Sequence, residues 1–79
     1  MNGRDDKNLT ARGIVTEALP STLFRVILEG IKNEEGENKE ILAYLSGKMR
    51  MHRIKVLVGD NVEILLDPYG GKGRIIKRL

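Results

Sequence analysis

The chain has 79 residues and a formal charge of +3 at pH 7, enough for one domain that buries roughly 60–65% of its unfolded surface and leaves little room for a deep catalytic pocket. Hydrophobic residues make up 41% and charged residues 32%, the balance of a folded globular domain rather than a disordered one. There is no Cys, a single His, and no apolar run approaching the roughly 20 residues of a membrane span, so disulfides, thiolate chemistry, Cys-based zinc sites and spanning helices are excluded.

Residues 1–8 read as a polar tail of mixed charge with no apolar signal-peptide core, so a cytoplasmic protein without a membrane partner is expected. Leu9 to Leu19 reads as a first strand, with β-branched Ile14, Val15 and Thr16 at its centre. Pro20-Ser21 forms a turn. Thr22 to Glu29 alternates cleanly, with Phe24, Val26 and Leu28 on one face and Leu23, Arg25, Ile27 and Glu29 on the other. Gly30 to Lys39 lacks an apolar residue after Ile31 and holds three Glu; it reads as a long, mobile, acidic loop facing away from any polyanion. Glu40 to Leu45 is a third strand. In Lys48 to Lys55 the alternation is lost and helix-forming Lys, Met and Arg dominate, which predicts a short helix or 3₁₀ turn with Met49 and Met51 beneath it as core filler. After the Gly59-Asp60 turn, Asn61 to Leu66 is a fourth strand with Val62, Ile64 and Leu66 inward. Asp67 to Gly71 turns, and Gly73 to Arg78 is a fifth strand.

Five short strands with one helical insert between the third and fourth predict an all-β, five-stranded oligonucleotide/oligosaccharide-binding (OB) fold, a Greek-key barrel, over residues 9–79. An SH3-like barrel is the nearest alternative.

Charge is unevenly spread. Residues 1–45 hold six Lys/Arg against eight Asp/Glu, a net of −2; residues 46–79 hold eight against three, a net of +5. The cations of the second half fall into two groups, Lys48/Arg50/Arg53/Lys55 and Lys72/Arg74/Lys77/Arg78. Clustered cations attract a polyanion. No nucleophile–base pairing is readable around Ser21, Ser46 or His52, so no enzyme and no cofactor or metal is expected. Asp60 and Asp67 read as turn residues. Gly70-Gly71-Lys72-Gly73 lacks the spacing and following helix of a phosphate loop. The aromatics are Phe24, Tyr44 and Tyr69 alone. With Phe24 in the core, too few remain for tracking single strands by stacking. Recognition of a folded RNA through shape and phosphates is the better expectation.

Six segments occur in order: Gly13-Ile14-Val15, Leu19-Pro20-Ser21-Thr22-Leu23-Phe24-Arg25-Val26, Leu45-Ser46-Gly47-Lys48-Met49-Arg50, Ile54-Lys55-Val56-Leu57-Val58-Gly59-Asp60-Asn61-Val62, Pro68-Tyr69 and Lys72-Gly73-Arg74-Ile75. Together they resemble the bacterial and plastid translation initiation factor one family, an S1-like OB-fold family. The resemblance covers roughly residues 9–78. It implies binding to the small ribosomal subunit at the decoding (A) site, against small-subunit rRNA and a neighbouring ribosomal protein. It also implies blocking premature tRNA entry, acting with the two larger initiation factors, and a monomer off the ribosome. By motif, Pro20-Ser21-Thr22 would reach an rRNA groove. Arg25, Lys48, Arg50 and Lys55 would face rRNA, and Lys72 and Arg74 would add contacts. Arg53 stands where the family usually has an aromatic, so a guanidinium contact there would replace stacking. Three further departures are a longer loop at 30–39, a turn shortened to Gly70-Gly71, and Lys77 at an often aromatic position. The alternative is a general, cold-shock-like RNA-binding module or RNA chaperone. A protein-interaction barrel with merely solvated charges is a third reading.

Overall fold

The computed structural model describes residues 9–79; the polar tail expected at residues 1–8 lies outside them. The elements run β1 (Thr10–Leu19), β2 (Leu23–Lys32), β3 (Asn38–Leu45), α1 (Gly47–Met51), β4 (Asn61–Leu65) and β5 (Gly73–Arg78). The strands close into a barrel in the order β1-β2-β3-β5-β4, with β1 pairing antiparallel to β4. Closure pairs each strand on both sides within the barrel and, among the described residues, leaves free edges on the β2–β3 ribbon that extends beyond it, which limits the main aggregation hazard of a small all-β chain. The helix sits between β3 and β4, so this is the OB fold expected from the element order.

Alternation sets the core. Phe24, Val26 and Leu28 of β2 point inward, and Val15, Ala43, Val62, Ile64 and Ile75 meet them from the other strands. Fully burying each large aliphatic side chain contributes about 1.5–3 kcal/mol. Two glycines are required by close approach. A Cβ on Gly13 would stand 2.5 Å from Val26 Cγ1 and 2.8 Å from the Ile27 carbonyl oxygen. One on Gly73, where β3 and β5 pair in parallel, would meet Ile64 Cγ2 at 2.6 Å and Ile41 Cδ1 at 2.9 Å.

Helix α1 closes one barrel end. The Ser46 side chain accepts a hydrogen bond from Met49 N at 3.2 Å, capping the first turn. Met49 enters the core at 1% exposure, whereas Met51 is 74% exposed. The expectation that both methionines fill the core is thus corrected for Met51. Five residues make only one and a half turns, and a position two along from Met49 faces the opposite side. Ser46→Ala is expected to cost about 1 kcal/mol, lowering the melting midpoint by roughly 4–8 °C in thermal unfolding.

The expected loop at 30–39 is also corrected. Strand β2 continues to Lys32 and β3 begins at Asn38, with Lys32 paired to Asn38. The turn is residues 33–37, not a long loop, and Asn33 organises it: its Oδ1 accepts from Glu35 N at 2.9 Å and Glu37 N at 3.0 Å. Both faces of this ribbon end are exposed apart from half-buried Ile31, so no apolar alternation marks the strands there.

A register shift between Val15 and Glu17 leaves Thr16 as an extra residue in β1, a β-bulge. The bulge rephases the strand. Val15 faces the core, yet Glu17 two residues later lies opposite outward-facing Arg25.

Candidate nucleic-acid interface

The β1–β2 turn and α1 lie at the same end of the barrel, because Leu23 pairs with Tyr44 one residue before β3 runs out and α1 begins. Ser21 and Thr22 form the tip of that turn, with φ of 65° and 55°. Positive φ at two successive positions suits the twist of a tight hairpin but strains residues other than glycine, most of all a β-branched one. Both side chains are exposed.

Helix α1 and its exit carry Lys48, Arg50, Arg53 and Lys55, all exposed. The last strand arrives beside them. Ser46 N donates to Ile75 O at 2.9 Å, and Arg78 Nη1 donates to Lys55 O at 3.0 Å. Between helix and strand lies a depression of about 460 Å³, floored by Met49, Ile54 and Ile76 and rimmed by Lys48, His52, Lys77 and Arg78. Lys77 and Arg78, more than twenty residues further along the chain, thus share one rim with Lys48 and reach the backbone of Lys55. Sequence clustering groups them only with Lys72 and Arg74.

Lys72 and Arg74 sit elsewhere. Gly73 pairs with Ala43 and Arg74 with Tyr44, so the start of β5 lies along the barrel wall. The Arg74 guanidinium carbon stands 5.8 Å from the Tyr44 ring centroid, in cation–π range. Nearby, the Asp67 carboxylate accepts from Tyr69 N at 3.0 Å and Gly71 N at 2.9 Å. This fixes the Asp67–Gly71 turn as a carboxylate-organised turn rather than a phosphate loop, and leaves Tyr69 94% exposed.

Arg25 differs from the other candidates. Its Nε donates to Glu17 Oε1 at 2.9 Å and lies 3.2 Å from Glu40 Oε2. Hydrogen bonds to Glu17 and then Glu40 raise its pKa above the ordinary arginine value. Its charge is locally matched, and sequence clustering could not show this, because the bulge at Thr16 is what brings Glu17 to it.

The acidic turn at residues 33–37 lies at the other end of β2 from Ser21 and Thr22. Ten strand residues at about 3.3 Å each put roughly 30 Å between them. Among the described residues there is no group of three His, Asp or Glu placed to hold a metal ion, and no helix long and apolar enough to cross a membrane.

A closed OB barrel with a cationic, solvent-facing end has the shape and charge of a nucleic-acid-binding module. Comparison with known proteins narrows this. The profile of the family described as translation initiation factor 1A / IF-1 matches residues 2–79, and the chain belongs to that family of translation initiation factors. Among solved structures, the translation initiation factor IF-1 of the Wolbachia endosymbiont strain TRS of Brugia malayi is 33% identical, with a TM-score of 0.69, covering 99% of this chain and 88% of that one. YjeQ from Thermotoga maritima is 35% identical with a TM-score of 0.69, over 90% of this chain. YloQ, a circularly permuted GTPase, is 23% identical with a TM-score of 0.73, over 92% of this chain, and shares the fold. The chain spans 23% of the length of each of these last two proteins.

Proposed function

We propose that the protein binds the small ribosomal subunit at the decoding site through rRNA, where it blocks premature tRNA entry and assists the larger initiation factors. The observation that carries this reading is the convergence of the Ser21-Thr22 turn, the α1 cations and the end of β5 on one barrel end, in a chain of the initiation factor family. In this reading Lys48, Arg50, Arg53 and Lys55 neutralise or read rRNA, and Ser21 and Thr22 enter a groove. Lys72 and Arg74 make a flanking contact from the barrel wall. A neighbouring ribosomal protein would meet a less basic face, and the domain acts as a monomer off the ribosome.

Chemical footprinting of small-subunit rRNA with and without the protein tests this. Protection confined to the decoding region is expected. Protection spread over unrelated helices, or none, would refute it.

The general RNA-binding module is the second reading, favoured by one observation: Tyr44 with Arg74 over it, and exposed Tyr69, offer a small stacking surface. Against it, the outer face of β2 and β3, the usual OB oligonucleotide surface, holds Arg25 neutralised by Glu17 and Glu40. Equal affinity for arbitrary oligonucleotides and for small subunits would favour the general module.

Arg25 gives a separate prediction. Glu17→Gln combined with Glu40→Gln frees the guanidinium and removes two negative charges. Exposed pairs are screened by solvent and contribute little to stability, so the melting midpoint is expected to change little while small-subunit affinity rises. An unchanged affinity would remove Arg25 from the rRNA-facing set.

A further inference from the structure

Helix α1 ends in a two-bond backbone cap. Arg53 N donates to Arg50 O at 3.1 Å, and Ile54 N donates to Met49 O at 3.0 Å. These are the two bonds of a Schellman motif, with His52 as the C-cap and Arg53 in the position just beyond. That position requires the left-handed backbone region, and Arg53 has φ 54°. Glycine is the usual occupant, because a Cβ there is strained.

Among the described residues, no side-chain partner accounts for an arginine at this point. The cap uses backbone groups alone. The Arg53 side chain is exposed, and among the described residues it makes no ion pair or hydrogen bond, unlike Arg25, Arg74 and Arg78. Positive charge does not account for it either. Lys48, Arg50 and Lys55 already supply charge along the same segment, and none of them has a positive φ. What arginine adds at a fixed backbone position is direction: a planar fork of donors and a flat face for stacking, neither of which lysine has. Strain kept at an exposed, unpartnered side chain is a mark of an external contact.

We propose that Arg53 is a specificity-determining RNA contact, engaging an rRNA base through its guanidinium plane and held in place at the expense of helix-end stability. The assignment rests on the rRNA reading above and deepens it. Replacing Arg53 by Gly relieves the backbone and removes the contact. Replacing it by Ala removes the contact and keeps the strain. Replacing it by Lys keeps the charge and removes the plane.

Thermal unfolding and equilibrium binding to isolated small subunits, on wild type and on Arg53→Gly, Arg53→Ala and Arg53→Lys, test it. Arg53→Gly is expected to melt a few degrees higher than wild type yet bind at least tenfold more weakly. Arg53→Ala is expected to bind as weakly without the gain in stability, and Arg53→Lys to bind closer to Ala than to wild type. An Arg53→Gly variant that binds like wild type, or that gains no stability, overturns the proposal, as does a lysine variant closer to wild type. Wild type that fails to bind small subunits at all would instead bring down the underlying rRNA reading.

Discussion

Replacing Arg50 and Lys55 together by Ala is expected to weaken binding to isolated small subunits about 10- to 30-fold at 0.15 M salt, with the fold intact. The magnitude follows from counterion release. Each neutralised phosphate adds about 0.7–0.9 to the slope of log affinity against log salt, which at that salt concentration is about 0.6–0.7 of a decade per contact. Both side chains are exposed, and among the described residues neither is held in an ion pair. Their removal therefore leaves no buried charge unmatched. The same double variant is expected to flatten the salt slope by about 1.5. An unaltered slope with unaltered affinity in a folded variant would show that these two cations are solvated surface.

The largest effect on stability is expected at Gly13. A methyl group there would collide with Val26 Cγ1, held in the core, and with the Ile27 carbonyl oxygen, which is fixed by the sheet. Gly13 pairs with Leu28 on one side and Val62 on the other, so β1 cannot retreat without opening two ladders. Overpacking of this kind typically costs about 1–3 kcal/mol, and the backbone collision puts Gly13→Ala near the top of that range. For a domain of this size the melting midpoint is expected to fall by roughly 10–20 °C. A midpoint within about 4 °C of wild type in a calorimetric scan would show that the strands can spread there.

How far the sequence disclosed this molecule depended on where a residue faces. Strand β2 was legible because Phe24, Val26 and Leu28 alternate strictly and one face is dry. Strand β5 was placed at Gly73–Arg78 by its flanking turn and its two isoleucines. Residues 30–32 and 38–39 carry no strand signal because a ribbon wet on nearly all sides needs no apolar period; their pairing is a tertiary fact. The Thr16 bulge was invisible for a related reason. On a regular strand Val15 and Glu17 would share a face, and only the register with β2 shows that they do not. At the site, the α1 cations were readable as a run, but their union with Lys77 and Arg78 depends on β5 returning beside the helix. The strain at Ser21, Thr22 and Arg53 has no sequence marker, since all three are unusual choices where glycine or asparagine would be normal.

The placement of the acidic turn at residues 33–37 at one end of β2, with the cationic helix near the other, makes the molecule an electric dipole about as long as the barrel. Its principal extents are 33 × 33 × 21 Å, whereas fields are screened over about 8 Å at physiological ionic strength. A polyanion therefore exerts little torque on the distant protein. Under the proposed rRNA reading, within the last few ångströms it attracts one pole while leaving the other screened, so wrongly oriented encounters are expected to separate and helix-first encounters to persist. Selection of orientation then occurs at the surface, during brief collisions, and shows as an association rate that falls with salt while the rate of departure changes less.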